Sequence, residues 1–470
     1  MLLRNLLILL CLALPWLGGC VSIATCRHSH RRTIKRLCIV EPSPAVGVLW
    51  ILWLATLALA LSGCATPVGV KRVDVQTAYR IQTESALAAE QPSEPSKMVL
   101  RRLGLLDRFD AEPAAVLAEL HRGLSPKGDD DRLFALAELS FLHADRTGDR
   151  AYFLASAVYA WALLFPDDAT GTQLQPLDPR FRLTYDLYNQ AVAKGLATHS
   201  GRNVDPGEDA GPGERVDPGE GSSINEVRLA SGVYKLPFGT LTLSLDEAGL
   251  SWGGYRLERF IPTTTLEVRG LRNRYHTPGI GVPLAASLAA GPASAKVVGS
   301  ERLGPRTKVP VTALLRLQQA RAGLAAGQVR GRIEVYATDQ TPTVQVDGRD
   351  QPLESDPTAA LAYQLEGSPI YVAEILGFLR GGILRGLPKD RSQDGLFLLR
   401  PYEPGKIPVV LVHGTVSSPA RWVELINELE GDPRIREGYP LKPGHLLQAE
   451  RKVPARTPAL PGSDCPTLNG

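Results

Sequence analysis

Ile407-Pro-Val-Val-Leu-Val-His-Gly414, running on into Thr415-Val-Ser-Ser-Pro-Ala-Arg-Trp422, is the stretch on which the reading of this chain turns. An apolar run closed by a glycine predicts a buried strand entering a tight turn. Gly414 lets the backbone pass close to a ligand and leaves the next amide, that of Thr415, exposed. A fixed amide of this kind can stabilise the negative charge that develops on oxygen in an acyl-transfer intermediate. His413 reads as a support for this loop rather than as a catalytic base. Trp422 to Glu430 has a helical pattern, and Ser417 and Ser418 read as turn or N-cap residues for it. A serine nucleophile would need an elbow such as Gly-x-Ser-x-Gly, and none occurs in the 470 residues. From Pro440 to Gly470 the chain is rich in proline and shows no strand or helix period, so an unstructured tail is expected.

Upstream, the composition is that of a folded protein with an unusual leader. Hydrophobic residues make up 44% and charged residues 21%, which is enough apolar material for a sizeable core. The formal net charge is only +3. Part of the basic excess sits in Arg27-His-Ser-His-Arg-Arg-Thr-Ile-Lys-Arg36, directly before an apolar segment, where export topology explains it better than nucleic-acid binding. Nucleic acid is therefore not an expected partner. The cysteines are Cys11, Cys20, Cys26, Cys38, Cys64 and Cys465, four of them in the leader and Cys64 directly after it. No Cys-x-x-Cys or His-x-x-x-His spacing points to zinc, and no metal or cofactor is expected.

The apolar segment, Val46 to Leu61, ends in Leu61-Ser62-Gly63-Cys64. This tetrad resembles the lipobox of bacterial lipoproteins, in which the cysteine thiol is acylated before cleavage. Cys64 is the expected lipidation site, and Leu17-Gly18-Gly19-Cys20 is a weaker second candidate. Ala65 after the cysteine resembles lipoproteins sorted to the outer membrane. The expected location is thus the bacterial envelope, anchored by lipid and facing the periplasm.

Residues 1–63 read as leader and 64–96 as a polar tether with a short helix. Residues 97–199 form an expected α-helical domain: Asp129-Asp130-Asp131 suits the positive end of a helix through Ala144, and further helices are predicted over Tyr152–Phe165 and Phe181–Ala197. Residues 200–223, in which Val204-Asp-Pro-Gly-Glu208 recurs as Val216-Asp-Pro-Gly-Glu220, are too poor in apolar residues to fold and read as a linker. Residues 224–366 turn β-rich. Gly239 to Leu245, Arg332 to Tyr336 and Thr343 to Val346 alternate, the last closing on Asp347-Gly348 as a hairpin would. Residues 367–439 begin with an amphipathic helix over Ser368–Arg380 and continue with strands over Leu396–Arg400 and Ile407–Val412, which are expected to be poorly covered and poorly folded. Residues 440–470 are the unstructured tail. The fold class is mixed.

Four segments, Cys64-Ala-Thr-Pro-Val-Gly-Val-Lys-Arg-Val73, Leu133-Phe-Ala-Leu-Ala-Glu-Leu139, Val268-Arg-Gly-Leu-Arg-Asn-Arg274 and Val409-Val-Leu-Val-His-Gly-Thr415, together resemble a group of bacterial lipoproteins ending in an α/β-hydrolase domain. The resemblance runs from about Leu61 to Tyr439. It implies an ester or lipid acyl hydrolase of the serine esterase or lipase kind, with Thr415 as an oxyanion-hole amide and Gly414 and His413 shaping the loop. The serine, acid and distal histidine of that group have no matching positions. The expectation is a chain truncated or frameshifted after Tyr439 and catalytically incompetent alone. The alternative is a non-catalytic envelope lipoprotein that binds a partner or a lipid through its helical and β-rich parts. His121, His143 and His276 have no metal-like partners at useful spacing, and His445 falls in the tail and is given no role. Trp252-Gly253-Gly254 and Asn273 to His276 read as a β-turn and a structural loop rather than as the lining of a substrate cleft.

Overall fold

The computed structural model describes residues 68–125, 129–167, 174–198, 226–289, 303, 306–366, 396–398, 400, 409–412, 422–432 and 446–449, together with 52, 53 and 56. The chain divides into two units, Met1–Val73 and Asp74–Gly470. In the first, Leu52, Trp53 and Thr56 are helical, and the Thr56 hydroxyl donates to the Leu52 carbonyl at 2.9 Å.

The second unit opens with helices α1 (Val75–Thr83), α2 (Ala86–Ala89), α3 (Glu94–Arg102), α4 (Leu106–Ala111), α5 (Pro113–Arg122), α6 (Asp130–Thr147), α7 (Arg150–Leu164) and α8 (Pro179–Gly195). Asp130 and Asp131 occupy the first turn of α6 as the charge pattern suggests. Asp129 makes no capping bond and accepts instead from the Ser125 amide. Helix α7 is buried from Phe153 through Leu164, because its Ala-rich sequence lets α6 and α8 approach closely on both sides.

The sheet strands follow: β1 (Ala197–Thr198), β2 (Glu226–Val227), β3 (Gly232–Leu236), β4 (Gly239–Leu245), β5 (Ser251–Trp252), β6 (Tyr255–Pro262), β7 (Val282–Leu288), β8 (Lys308–Gln318) and, after helix α9 (Ala320–Ala326), β9 (Gln328–Ala337). Among the described residues they make a nine-stranded sheet in the order β1-β2-β6-β7-β8-β9-β4-β3, with β5 on β6. It is mixed: β4 runs parallel to β9, and the other pairs are antiparallel. The hairpin β10 (Thr343–Val346) and β11 (Arg349–Pro352) turns through Asp347 and Gly348, both with positive φ, as a two-residue turn of this hand requires.

Helices and sheet are not separate bodies. One hydrophobic cluster runs from Ala86 in α2 to Leu353 after β11. Tyr188 of α8 is fully buried at the junction. Strand β7 ends opposite Ala313, which leaves Leu315 without a strand on that side. The Tyr188 hydroxyl fills the gap, donating to the Leu315 carbonyl at 2.7 Å and accepting from its amide at 3.0 Å.

The expected tether is shorter than its polarity suggested. Ser85, Ala86, Ser93 and Ser96 are buried against α6. There the carboxylate of Glu138, itself fully buried, accepts from the Ala86 amide at 3.0 Å, the Ser93 amide at 3.0 Å, the Ser93 hydroxyl at 2.6 Å and the Ser96 hydroxyl at 2.5 Å. Two helix starts, α2 and α3, thus share one acceptor, and Ser93 needs no side-chain cap of its own.

The remaining elements are α10 (Pro357–Leu365), β12 (Leu396–Leu398), β13 (Val409–Val412), α11 (Val423–Gly431) and β14 (Leu446–Ala449). One expectation is corrected here. Leu446–Ala449, inside the tail read as unstructured, is a strand, because its backbone finds two partners at once. It separates β12 and β13, which are therefore not sheet neighbours: the order is β12-β14-β13, antiparallel then parallel. The predicted helix over Ser368–Arg380 and the linker 200–223 lie outside the described residues.

Candidate functional site

The site is built on β13, α11 and β14. Parallel strands cannot be joined by a hairpin and need a crossover. Here the chain between β13 and its parallel neighbour β14 contains α11. Leu411 of β13 is buried against Ile426 of α11, with Leu361, Trp422 and Leu429 packed around them. Residues 413–421, among them His413, Gly414, Thr415, Ser417 and Ser418, lie outside the described residues, as do Cys20, Cys64, His445 and Cys465. What is described are the elements on either side of them in the chain, β13 and α11.

Helix α11 is gripped from three directions. Glu424, Asn427 and Glu428 recur at the three- and four-residue spacing that puts them on one face. Against this face lies the segment 272–275. The Tyr275 hydroxyl donates to Glu428 Oε2 at 2.6 Å, Asn273 Nδ2 donates to Glu428 Oε1 at 2.9 Å, and Asn427 Nδ2 donates to the Asn273 carbonyl at 2.9 Å. Thr358 of α10 completes the joint: its hydroxyl donates to Asn427 Oδ1 at 2.7 Å and accepts from the Tyr275 amide at 2.8 Å. The hydrogen bond to Glu428 raises the Tyr275 phenol above its ordinary range, so this hydroxyl stays protonated as the donor.

The third grip is Arg400. Its guanidinium donates to Asp339 Oδ2 at 2.8 Å and to Glu430 Oε1 at 3.1 Å, and all three side chains are largely buried. Burial works against its charge, but the two carboxylates outweigh that and hold its pKa above the ordinary arginine value. Asp339 Oδ1 and the Trp422 indole N–H are buried with no hydrogen-bond partner among the described residues. The same cluster lines a cavity of about 40 Å³ with Trp252, Lys308, Leu361 and Ile426.

Gly431 ends α11 directly against Tyr275, and an added Cβ would overlap that ring. Gly431→Ala is therefore expected to displace Tyr275, break its bond to Glu428 and cost about 1–3 kcal/mol in the docking of α11. Hydrogen exchange of the α11 amides will report this as loss of protection without change in α7.

Behind this joint the segment 274–276 is fixed to the residues before α10. Arg274 pairs with the buried Asp356, and His276 Nε2 lies 3.3 Å from Glu354 Oε1. Asn189 of α8 donates to Glu354 Oε2 at 2.7 Å and to the Gly279 carbonyl at 3.0 Å, and accepts from the Gly281 amide at 2.7 Å. The bond to Glu354 raises the His276 pKa above its ordinary 6.5, against the effect of partial burial. A histidine with a raised folded pKa contributes stability that is complete below about pH 6.5 and is lost as the pH rises through the folded value. The stability difference between wild type and His276→Gln is accordingly expected to shrink from pH 5.5 to pH 8.5, roughly one side of that window to the other, in paired urea titrations.

The other described histidines, His121 and His143, are held by ring contacts. His121 Nδ1 lies 3.0 Å from the Tyr159 hydroxyl, and its ring stacks on Phe238. His143 sits edge-on to Tyr152. Trp252 to Tyr255 is a tight hairpin turn with Gly253 and Gly254 at positive φ. Among the described residues no group of three or more His, Cys, Asp or Glu could hold a metal ion. No family model, curated protein or solved structure matches the chain.

Arg400, Asp339, Glu430 and the Tyr275–Glu428 pair have no motif in the sequence. The spacing of Glu424, Asn427 and Glu428 is the one signal that α11 presents a polar face to something specific.

Proposed function

We propose that residues 367–439 are the N-terminal part of an α/β-hydrolase domain carried by a lipid-anchored envelope protein. In this reading the Thr415 amide serves one side of an oxyanion hole for a carboxylic ester or lipid acyl group. The observation that carries it is strand β13 followed by helix α11, with Leu411 packed on Ile426 and His413-Gly414-Thr415 directly after the strand in the sequence. Ligands of open parallel sheets bind outside the carboxyl ends of the strands, and the loop between such a strand and its helix supplies an oxyanion amide in serine hydrolases. Gly414 gives the turn, and His413 supports it. The grip of residues 272–275, Thr358 and Arg400 on α11 would keep the far end of the loop in register with the rest of the chain. No cofactor is required for this chemistry.

An oxyanion amide stabilises charge but forms no bond to substrate, so it cannot replace a nucleophile and base. The chain of 470 residues is accordingly expected to give no labelling with a fluorophosphonate probe, and labelling would overturn the assignment of roles. The DNA beyond the codon for Tyr439 supplies the complementary test. A frame encoding a strand, Gly-x-Ser-x-Gly and a late histidine supports the hydrolase reading, and the lack of any such frame removes it.

A second reading, a non-catalytic envelope lipoprotein, is favoured by one observation. Among the described residues, Leu411 of β13 and Ile426 of α11 form a cluster of their own, separate from the large core that runs from Ala86 to Leu353.

A further inference from the structure

We infer that α1 lies in the headgroup region of the membrane that holds the Cys64 anchor, with Val75, Tyr79 and Ile81 turned toward the lipid. The inference rests on the reading of Cys64 as the acylated residue. Helix α1 has nine residues, none of them buried. Val75 is 81% exposed, Tyr79 67% and Ile81 58%. A helix this short is marginal in water unless one face is covered. Its start is fixed by local chemistry alone: Asp74 accepts from the Thr77 amide and the Thr77 hydroxyl, each at 2.8 Å.

The apolar side chains form a coherent face. At helical spacing Ile81, Ala78, Val75 and Tyr79 fall within an arc of about 160°, broken only by Gln82. Gln76, Thr77, Arg80 and Thr83 occupy the rest. Tyrosine suits a position with its ring among acyl chains and its hydroxyl in the headgroups.

The position of the helix in the chain selects lipid as the occupant of this face. Val75 is 11 positions after Cys64, so the helix start can be no more than about 40 Å of extended chain from the anchor. Lys71 and Arg72 lie between the two, where cationic side chains favour anionic headgroups. An acyl anchor also holds the helix at high effective concentration beside the bilayer, so a weak interfacial affinity is sufficient.

The test uses the full chain, expressed with its leader, acylated, and reconstituted into vesicles of phosphatidylethanolamine and phosphatidylglycerol. In a Cys465→Ser background, Val75→Cys and Gln76→Cys each receive an environment-sensitive fluorophore. The expected result is a blue-shifted label at position 75 that loses most of its emission when nitroxide-bearing lipids are included, and a label at position 76 that keeps it. If the protein floats with the vesicles while both labels remain in water, the anchor stands and the inference falls. A blue-shifted label at 75 that nitroxide lipids do not quench means that protein covers the face, which also overturns it. Failure of the chain to float with the vesicles removes the anchor and the inference together.

Discussion

Glu138→Ala will lower the stability of the second unit by about 3–5 kcal/mol in urea unfolding, because four donors lose their acceptor inside a packed core. The donors are the amides of Ala86 and Ser93 and the hydroxyls of Ser93 and Ser96, so the loss falls first on α2 and α3. Hydrogen exchange will show α2 and α3 unprotected before α7 changes. Glu138→Gln will cost less, because the serine hydroxyls can turn to accept from the new amide. A loss below about 1 kcal/mol for the alanine variant would mean that the four donors find water, and that residues 85–96 are not held as described. Burial pushes the Glu138 carboxyl above its ordinary 4.5, against the hydrogen bonds that favour the charged form. A raised folded pKa means that the proton is held more tightly in the folded state. The advantage of wild type over Glu138→Gln is therefore complete below about pH 4.5 and declines as the pH rises through the folded value.

Arg400→Met will loosen the candidate catalytic unit to a similar extent while leaving the main core intact. Removing one partner of a buried ionic cluster leaves the others charged and unpaired, at a cost of about 3–5 kcal/mol. Here Asp339 and Glu430 would be stranded beside each other, and Asp339 Oδ1 has no hydrogen-bond partner among the described residues. Limited proteolysis with mass spectrometry should find new cuts within residues 396–449 and none within α6, α7 or β8. Adding Glu430→Gln should recover part of the loss by removing one stranded charge. If the double variant is cut as readily as the single one, Arg400 acts through packing of its stem and not through its charge.

The local pattern of this chain was more legible than its tertiary arrangement. Gly239–Leu245 and Thr343–Val346 alternate so cleanly that their strand limits could be read directly, because each has one face in the core and one in solvent. Helices α6 to α8 were visible from apolar spacing and from Asp130 and Asp131. The docking of residues 85–96 was not, since it depends on a glutamate within an otherwise apolar helix, and a lone charged residue reads as a surface position. Nor was β14 legible. Leu446 and Leu447 are too few to form a pattern, and the strand exists only through its pairing with β12 and β13. At the candidate site the strand Val409–Val412 was evident, but what fixes α11 comes from residues 30 to 155 positions away, as with Arg400 and Glu430 or Asn273 and Glu428. Contacts of that kind carry no local signature.

The parallel pairing of β4 with β9 also sets an order for making the protein. Strand β4 gains β3 as soon as Gly232–Leu245 is complete, but its other edge is reserved for Gln328–Ile333. During synthesis an alternating apolar strand with Leu241 and Leu243 must therefore wait, unpaired on one side, while β5 to β8 emerge. Closing so long a loop is slow compared with helix formation. The helices α6 to α8 precede β4 in the chain and pack largely on one another, so they can assemble first and offer Tyr188 as a docking point for β8. The period before β9 arrives is when this chain is most exposed to edge-to-edge aggregation, and it is the interval in which a chaperone would have most to protect.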